Sequence, residues 1–421
     1  MNKTPEIIFN KEFETEMKIL LNDEFSLFKE SYAKERVKSI RINPAKFKEQ
    51  HLHWLKLFNL KDTGLNNDTY FVDLTQPLGQ FPYYHGGLYY PQEVSASAVV
   101  THMGLKSDDW VLDLCAAPGG KSTQILSVIK DGFLLSNEIN TRRLPALVEN
   151  SHRFGASNMA ISNNDCSDLP SNGFDHVLLD APCTGESMIK RFPELVNQYS
   201  VKSILKAQKL QLKLFEDAMD KVKDGGRITY STCTFNRYEN EFVIKEMLDR
   251  YPTLELVDLQ PNQFCVKGVE GIGLRYYPHL FGEGHFVAQV IVHKENQKKN
   301  LVVTQKDYQI GVCHYQIETH HPSLKNLKLV SIGKPLLENN KPHWASPLSI
   351  GTQVDIELTM DEAYLYLNGQ VLPDKTMSKG YQVVGIDSLP LGWVKATNGQ
   401  LKNHYPKKFR NRFQTMKKSP K

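Results

Sequence analysis

From Trp110 to His293 the chain alternates short apolar runs with helical stretches, and no other feature narrows its fold so far. VLDLC (111–115), GFLLSNEI (132–139), NMAISNND (158–165), DHVLLDAPC (175–183) and GRITYSTCT (226–234) read as strands, with HFVAQVIVH (285–293) closing the series. Between the fourth and fifth, Leu205, Leu212, Phe215, Met219 and Val222 form a helical stripe that predicts core packing, ended by Asp224, Gly225 and Gly226. Strands alternating with helices build a doubly wound α/β domain with a largely parallel sheet.

The 421 residues are too many for that domain alone. Ahead of it, Phe9, Phe13, Met17, Leu20, Leu21 and Phe25 recur every three or four residues and predict helix. SIRINPAKF (39–47) predicts a short strand, and 61–90 predicts a loop rich in Gly, Pro, Asn and Tyr. A shift to charged and amide residues at ENQKKNLVV (295–303) marks a boundary. Beyond it short strands are expected, including a hairpin in YLYLNGQVL (364–372) turned at Asn368 and Gly369. The expected units are residues 1–78, a largely helical region; 79–295, the α/β domain; 296–360, a linking subdomain; and 361–421, a β-rich module with a basic tail.

Charge distribution suggests the partner. Asp387 is the last acidic residue; Lys395, Lys402, Lys407, Lys408, Arg410, Arg412, Lys417, Lys418 and Lys421 follow, interleaved with Trp393, Tyr405, Phe409 and Phe413. Such an end suits a phosphate backbone and stacked bases, with Lys402, His404, Tyr405, Lys407, Lys408 and Arg410 as candidates; residues 414–421 read as a solvated tail and Trp393 as packing. Arg36, Lys38, Arg41 and Lys46 around the first strand either grip phosphates or form a solvated face. No run of about 18 apolar residues predicts a membrane-spanning helix, and the N-terminus lacks a signal peptide's apolar block, so a cytoplasmic chain is expected. Six cysteines without a CxxC pair or HExxH run predict reduced thiols and no metal; Cys115, Cys166, Cys265 and Cys313 read as structural.

The turn after the first sheet strand, CAAPGGKS (115–122), almost matches a phosphate-binding P-loop. That motif requires glycine where Cys115 stands, so the cradle is incomplete, and G-x-G-x-x-G is absent too. What remains is a small-residue loop that lets backbone approach a ligand at the sheet's carboxyl edge. Glu138, Asp165 and Asp180 recur at the next strand ends. Singly each reads as a cap or turn residue. Together they can serve ribose hydroxyls and an adenine amine, as a doubly wound sheet holds S-adenosylmethionine.

Cys183, in DAPCTGE (180–186), and Cys233, in STCT (231–234), close two strands on that same rim. Methylation at C5 of a pyrimidine needs such a thiol, because C5 is a poor nucleophile until a group adds at C6. Asp180 would stabilise the charge developing near N3, and the target base must leave its stack. This chemistry leaves open which cysteine attacks.

CAAPGGKS, NEI, DAPCTGE and YSTCTFNRYENE, with GLYYPQEVSA (87–96) and FGEGHFVA (281–288), resemble in their order the Sun/Nop family of RNA cytosine-C5 methyltransferases. LGWVKATNGQLKNHYPKKFR (391–410) resembles the PUA-like end of the bacterial RsmF-type branch, which modifies small-subunit ribosomal RNA. The resemblance implies a Rossmann-like methyltransferase sheet, a C-terminal PUA-like module and S-adenosylmethionine as cofactor. It implies Cys233 as nucleophile, Cys183 as the thiol assisting product release, and cofactor contacts from Cys115, Ala116, Ala117, Pro118, Gly119, Gly120, Lys121, Glu138, Asp165 and Asp180. The implied partner is ribosomal RNA or the small ribosomal subunit. Transfer RNA as substrate and an RNA-binding assembly role with incidental catalysis are the alternatives. The sequence departs from the family at Phe192, where a small or acidic residue is usual before Pro193, and matches the branch loosely over 296–360.

Overall fold

A computed structural model describes residues 8–74, 76–295, 302–374 and 379–410. Helices α1 (Lys11–Leu21) and α2 (Phe25–Ser31) open the chain. Asn10 caps α1 by accepting the Phe13 backbone N–H, and the predicted stripe buries Phe13, Met17 and Leu21. Strands β1 (Lys38–Ile42), β2 (Leu60–Asp62), β3 (Thr69–Val72) and β4 (Tyr89–Pro91) form a separate sheet in the order β2-β3-β1-β4, with α3 (Leu52–Leu57) and α4 (Pro82–His85) between them. Part of the segment expected as a loop over 61–90 is therefore sheet. Its turn residues punctuate strands too short to show a period.

After α5 (Val94–Thr101) comes the alternating series: β5 (Trp110–Asp113), α6 (Gly120–Val128), β6 (Phe133–Asn137), α7 (Leu144–Phe154), β7 (Met159–Ser162), β8 (Phe174–Asp180), α8 (Val201–Lys221), β9 (Val222–Thr232) and α9 (Glu241–Arg250). The five strands lie parallel in the order β7-β6-β5-β8-β9. The sheet as a whole is mixed. β10 (Leu254–Leu256), β11 (Val266–Lys267), β12 (Leu274–Tyr276) and β13 (His285–Val292) extend it antiparallel beyond β9. On the far edge, strand Leu329–Ile332 pairs antiparallel with β7, so a piece of the expected linking segment completes the catalytic sheet. The composition shift that marks the boundary, over 296–301, lies outside the described residues.

Two expectations need correction. Helix α8 stops at Lys221, and of its predicted stripe Leu205 is 47% exposed, its place in the core taken by Ile204, while Phe215 and Val222 are buried with Leu212 and Met219 packed against them. The expected hairpin over 364–372 is a helix, Met360–Leu367. Thr359 and Glu362 form a capping box at its start, and Gly369 takes the left-handed conformation just past its end. Asn-Gly serves a helix terminus as readily as a hairpin.

Buried side chains join what the sequence separates. Trp54, Phe58, Tyr83 and Tyr89 share one core with Tyr364, Tyr366, Val384, Leu391, Tyr405 and Phe409, so the β1–β4 region packs on the C-terminal module. Phe13, Phe28 and Tyr32 pack with Ile189, Phe235 and Tyr277 beside the turn that carries Cys233. The Phe28 ring meets that of Phe235 edge-on at 5.5 Å.

Candidate active site

Parallel strands deliver their carboxyl ends to one rim, and register fixes which residues meet there. β8 and β9 pair with Asp180 opposite Ser231, which brings the two following turns together. Cys183 and Cys233, both half-buried, lie with their sulfurs 3.3 Å apart. The Cys183 hydrogen bond holds the Cys233 thiol below the usual cysteine range, against burial and Asp180, while Lys121 assists. The same hydrogen bond, reinforced by burial, pushes Cys183 well up. Both directions favour Cys233 over Cys183 as the thiol that ionises first.

Asp180 lies beside them. Burial raises its carboxyl, but the Lys121 ammonium at 2.8 Å, His285 and a hydrogen bond from Ser231 outweigh this and leave it below the usual range. His285 faces Lys121 at 3.2 Å. Burial and then Lys121 press its pKa down to about 3, so the ring is neutral. Nδ1–H then donates to the Gly284 carbonyl at 2.9 Å, leaving Nε2 to accept from Lys121.

The small-residue loop runs from the end of β5 into α6. Gly119 is left-handed, φ 103°, and a Cβ there would meet Leu147 at 3.0 Å; the glycine allows the turn that starts α6. Glu138, at the end of β6, is buried and accepts the Asn140 backbone N–H at 2.8 Å. Arg143 bridges it to the loop, 3.2 Å from its Oε2 and hydrogen-bonded to the Ala117 carbonyl. Asp165 is the exception: exposed, and engaged by its own turn through Ser167. Asp113 under the loop keeps one buried oxygen without a hydrogen bond, and burial pushes its carboxyl up to about 7.

One cavity of about 590 Å³ unites Cys115, Lys121, Asp180, Cys183 and Cys233 with Glu93, Arg143, Phe192, Glu283 and His285. Its volume suits a nucleoside-sized cofactor beside an extruded base. Burial raises the Cys115 thiol, which leaves it protonated and inert.

Residues 9–94, 100–291 and 353–411 match, in turn, the N-terminal domain of 16S rRNA methyltransferase RsmF, 16S rRNA methyltransferase RsmB/F, and the methyltransferase RsmF PUA domain. A ribosomal RNA small subunit methyltransferase F from Enterobacter sp. (strain 638) is 31% identical over 385 residues, covering 79% of each chain. The chain belongs to the 16S rRNA methyltransferase RsmB/F family. A second relative of the same description, from Aeromonas salmonicida (strain A449), is 32% identical across 78% of this chain and 70% of its own. Among solved structures, a methyltransferase homolog protein from Pyrococcus horikoshii aligns with a TM-score of 0.58 at 26% identity, covering 68% of this chain and 96% of that one. NSun6 from the same organism shares the fold, with a TM-score of 0.61 at 22% identity over 69% and 100%. RsmB/F proteins use S-adenosylmethionine as methyl donor, and the buried Glu138 carboxylate and glycine-opened loop fit such a cofactor.

Sequence reasoning singled out the rim's cysteines and missed what holds them. Glu186 is buried and accepts the backbone N–H groups of Phe235 at 2.7 Å and Asn236 at 2.9 Å. Glu239, also buried, accepts the Thr184 N–H at 3.0 Å and the Gln211 amide at 2.8 Å. Asn236 donates to both carboxylates, at 2.6 and 2.7 Å. These bonds stitch the Cys183 turn to the Cys233 turn. Both carboxylates lie within motifs readable in the sequence, yet nothing there shows that they face each other.

Three expected RNA contacts point inward. Arg41 is 2% exposed; its guanidinium donates to Gln92, Thr123, Ser127 and the Gly120 carbonyl, clamping β1 to α6. Tyr405 sits 5% exposed in the core that the C-terminal module shares with the β1–β4 region, and its hydroxyl meets His85. Arg410 is half-buried and donates to the Tyr405 carbonyl. In each case packing or oxygens of the protein itself satisfy the side chain before RNA could. Lys46, weighed with Arg41 in the sequence, is buried too and donates to the carbonyls of Gly86 and Arg153. Lys402, His404, Lys407 and Lys408 are exposed, and Arg36 pairs with Glu283 at the cavity edge. Residues 414–421 lie outside the described residues. No helix among the described residues is long and apolar enough to cross a membrane.

Proposed function

We propose that this chain methylates C5 of cytosine in 16S ribosomal RNA through a transient bond between Cys233 and C6 of the base. The observation that carries the reading is the cysteine pair, with sulfurs 3.3 Å apart, beside Asp180 at the ends of β8 and β9. Cys233 adds to C6 as N3 takes a proton, which moves electron density to C5; the Asp180 carboxylate accepts the hydrogen bond from that N3–H. S-adenosylmethionine supplies an electrophilic methyl group. Once C5 carries it, a base takes the C5 proton, the freed electron pair restores the C5–C6 double bond, and the sulfur–C6 bond breaks. Cys183, held protonated, offers its S–H as a hydrogen bond to the departing Cys233 sulfur, which leaves as a thiolate. Cys115 through Lys121 and Glu138 hold the cofactor, with Asp165 closing the adenine side and Lys121 pairing Asp180. The N-terminal region and the basic C-terminal module, which share a core, hold the RNA together, and the protein acts in the cytoplasm on ribosomal RNA or the small subunit.

The test is transfer of a labelled methyl group to small ribosomal subunits, naked ribosomal RNA and transfer RNA side by side. Label on ribosomal RNA that is lost in Cys233→Ala, with a covalent RNA–protein adduct accumulating in Cys183→Ala, is the expected result. Normal turnover by Cys183→Ala without adduct overturns the division of roles. Label on transfer RNA alone overturns the substrate, and no label on any RNA overturns the activity.

A further inference from the structure

Phe192 is a large apolar ring left 37% exposed on the lip of the cavity that holds both cysteines. It stands between two short 3-10 turns, Glu186–Lys190 and Pro193–Gln198, whose Ile189 and Val196 are buried in the aromatic cluster below. The Phe192 N–H donates to the Met188 carbonyl at 2.8 Å, and its own carbonyl accepts the Leu195 N–H at 3.0 Å. The Ser187 N–H donates to the Cys233 carbonyl at 3.0 Å, so the lip is tied to the reactive turn. The ring is thus exposed on a braced segment, at a fixed offset from the sulfur.

Arg191 adds the second observation. Its guanidinium carbon lies 5.2 Å from the Phe192 ring centre. The other cations along this cavity are occupied: Lys121 by Asp180, Arg143 by Glu138, and Arg36 at the edge by Glu283. Among the described residues, none pairs a carboxylate or a side-chain hydrogen bond with the Arg191 guanidinium, which is exposed. An exposed ring with an unpaired planar cation over it offers a face to a flat, electron-rich group and a charge to a neighbouring phosphate. The displaced strand on either side of an extruded base presents both.

We propose that Phe192 and Arg191 form a stacking subsite for a base adjoining the target cytosine, setting which flanking nucleotide the enzyme tolerates. The proposal rests on the RNA methylation reading above. It is tested with the full chain and a short fluorescein-labelled single-stranded RNA carrying one central cytosine. Phe192→Ala should weaken binding about tenfold, the scale of losing one base–aromatic stack. Phe192→Trp should restore it, and Arg191→Ala should weaken it a few-fold. In methyl transfer to ribosomal RNA, the same variants should raise KM for RNA more than they change kcat, with S-adenosylmethionine affinity unchanged. Wild-type RNA affinity and KM in Phe192→Ala overturn the subsite while leaving the activity standing. A shift confined to cofactor affinity also overturns it. Loss of RNA binding in Phe192→Ala by a chain that methylates no RNA sustains the subsite and overturns the activity.

Discussion

Lys121 at the catalytic rim and Arg41 with Lys46 at the seam behind it are all buried cations, but they are buried against different partners. Lys121 meets a carboxylate and a neutral imidazole that open onto the cavity. Arg41 and Lys46 meet amide, hydroxyl and carbonyl oxygens that belong to neighbouring elements. A cation facing a carboxylate in a cavity tunes a reacting group, whereas one facing neutral oxygens ties backbone segments together. The contrast predicts which substitutions damage chemistry and which damage the fold.

The largest effect belongs to the rim. Lys121→Met should lower methyl-transfer kcat about 10²- to 10³-fold, the cost of removing one preorganised electrostatic partner. Its melting temperature should move little, because Asp180 keeps Ser231 and partial solvent access. Equal losses of kcat and stability would break the comparison.

Arg41→Met should do the reverse. Leaving Gly120, Thr123 and Gln92 oxygens without their donor should cost about 3 kcal/mol of unfolding free energy, read by urea titration. Methyl transfer per folded molecule should stay near wild type. An RNA-affinity loss at unchanged stability would return Arg41 to the role its sequence suggests.

Lys46 sharpens the contrast through pH. Burial, then Arg153, press its ammonium down to about 7, against an unfolded value near 10.5. Between those values the unfolded chain binds more protons, so this residue makes stability rise with pH, by up to about 1.4 kcal/mol per unit. The penalty is complete below pH 7. Lys46→Met should remove that rise from the wild-type profile, and identical profiles would show that Lys46 stays charged where it lies.

The smallest effect is expected at the exposed C-terminal lysines. Lys402→Ala with Lys407→Ala should leave stability within about 0.5 kcal/mol, as surface changes do. The slope of log RNA affinity against log salt should shrink by about 0.7 per lysine on a single strand. An unchanged slope would place the RNA path elsewhere on the surface.

Legibility followed the same division. The strand-end motifs from Cys115 to Cys233 could be read because each is local: a few consecutive residues decide a turn, and parallel topology sends every such turn to one rim. The carboxylates that brace that rim, Glu186 and Glu239, were printed in the same motifs but carry meaning only through Asn236 and the opposite turn. The basic residues of β1 read as a surface because sequence gives charge without direction. The Asn368-Gly369 pair misled because the turn it makes belongs to two different elements.

By itself, the sequence determined the alternating α/β order, the glycine loop, the two strand-end cysteines and the helical start, all set by contacts within a few residues. Only the tertiary structure decided that the β1–β4 region and the C-terminal module share a core, that strand Leu329–Ile332 completes the catalytic sheet, and that Arg41, Lys46 and Tyr405 turn inward. Those outcomes depend on partners tens to hundreds of residues away, and a side chain's partner is fixed by packing that no local pattern encodes.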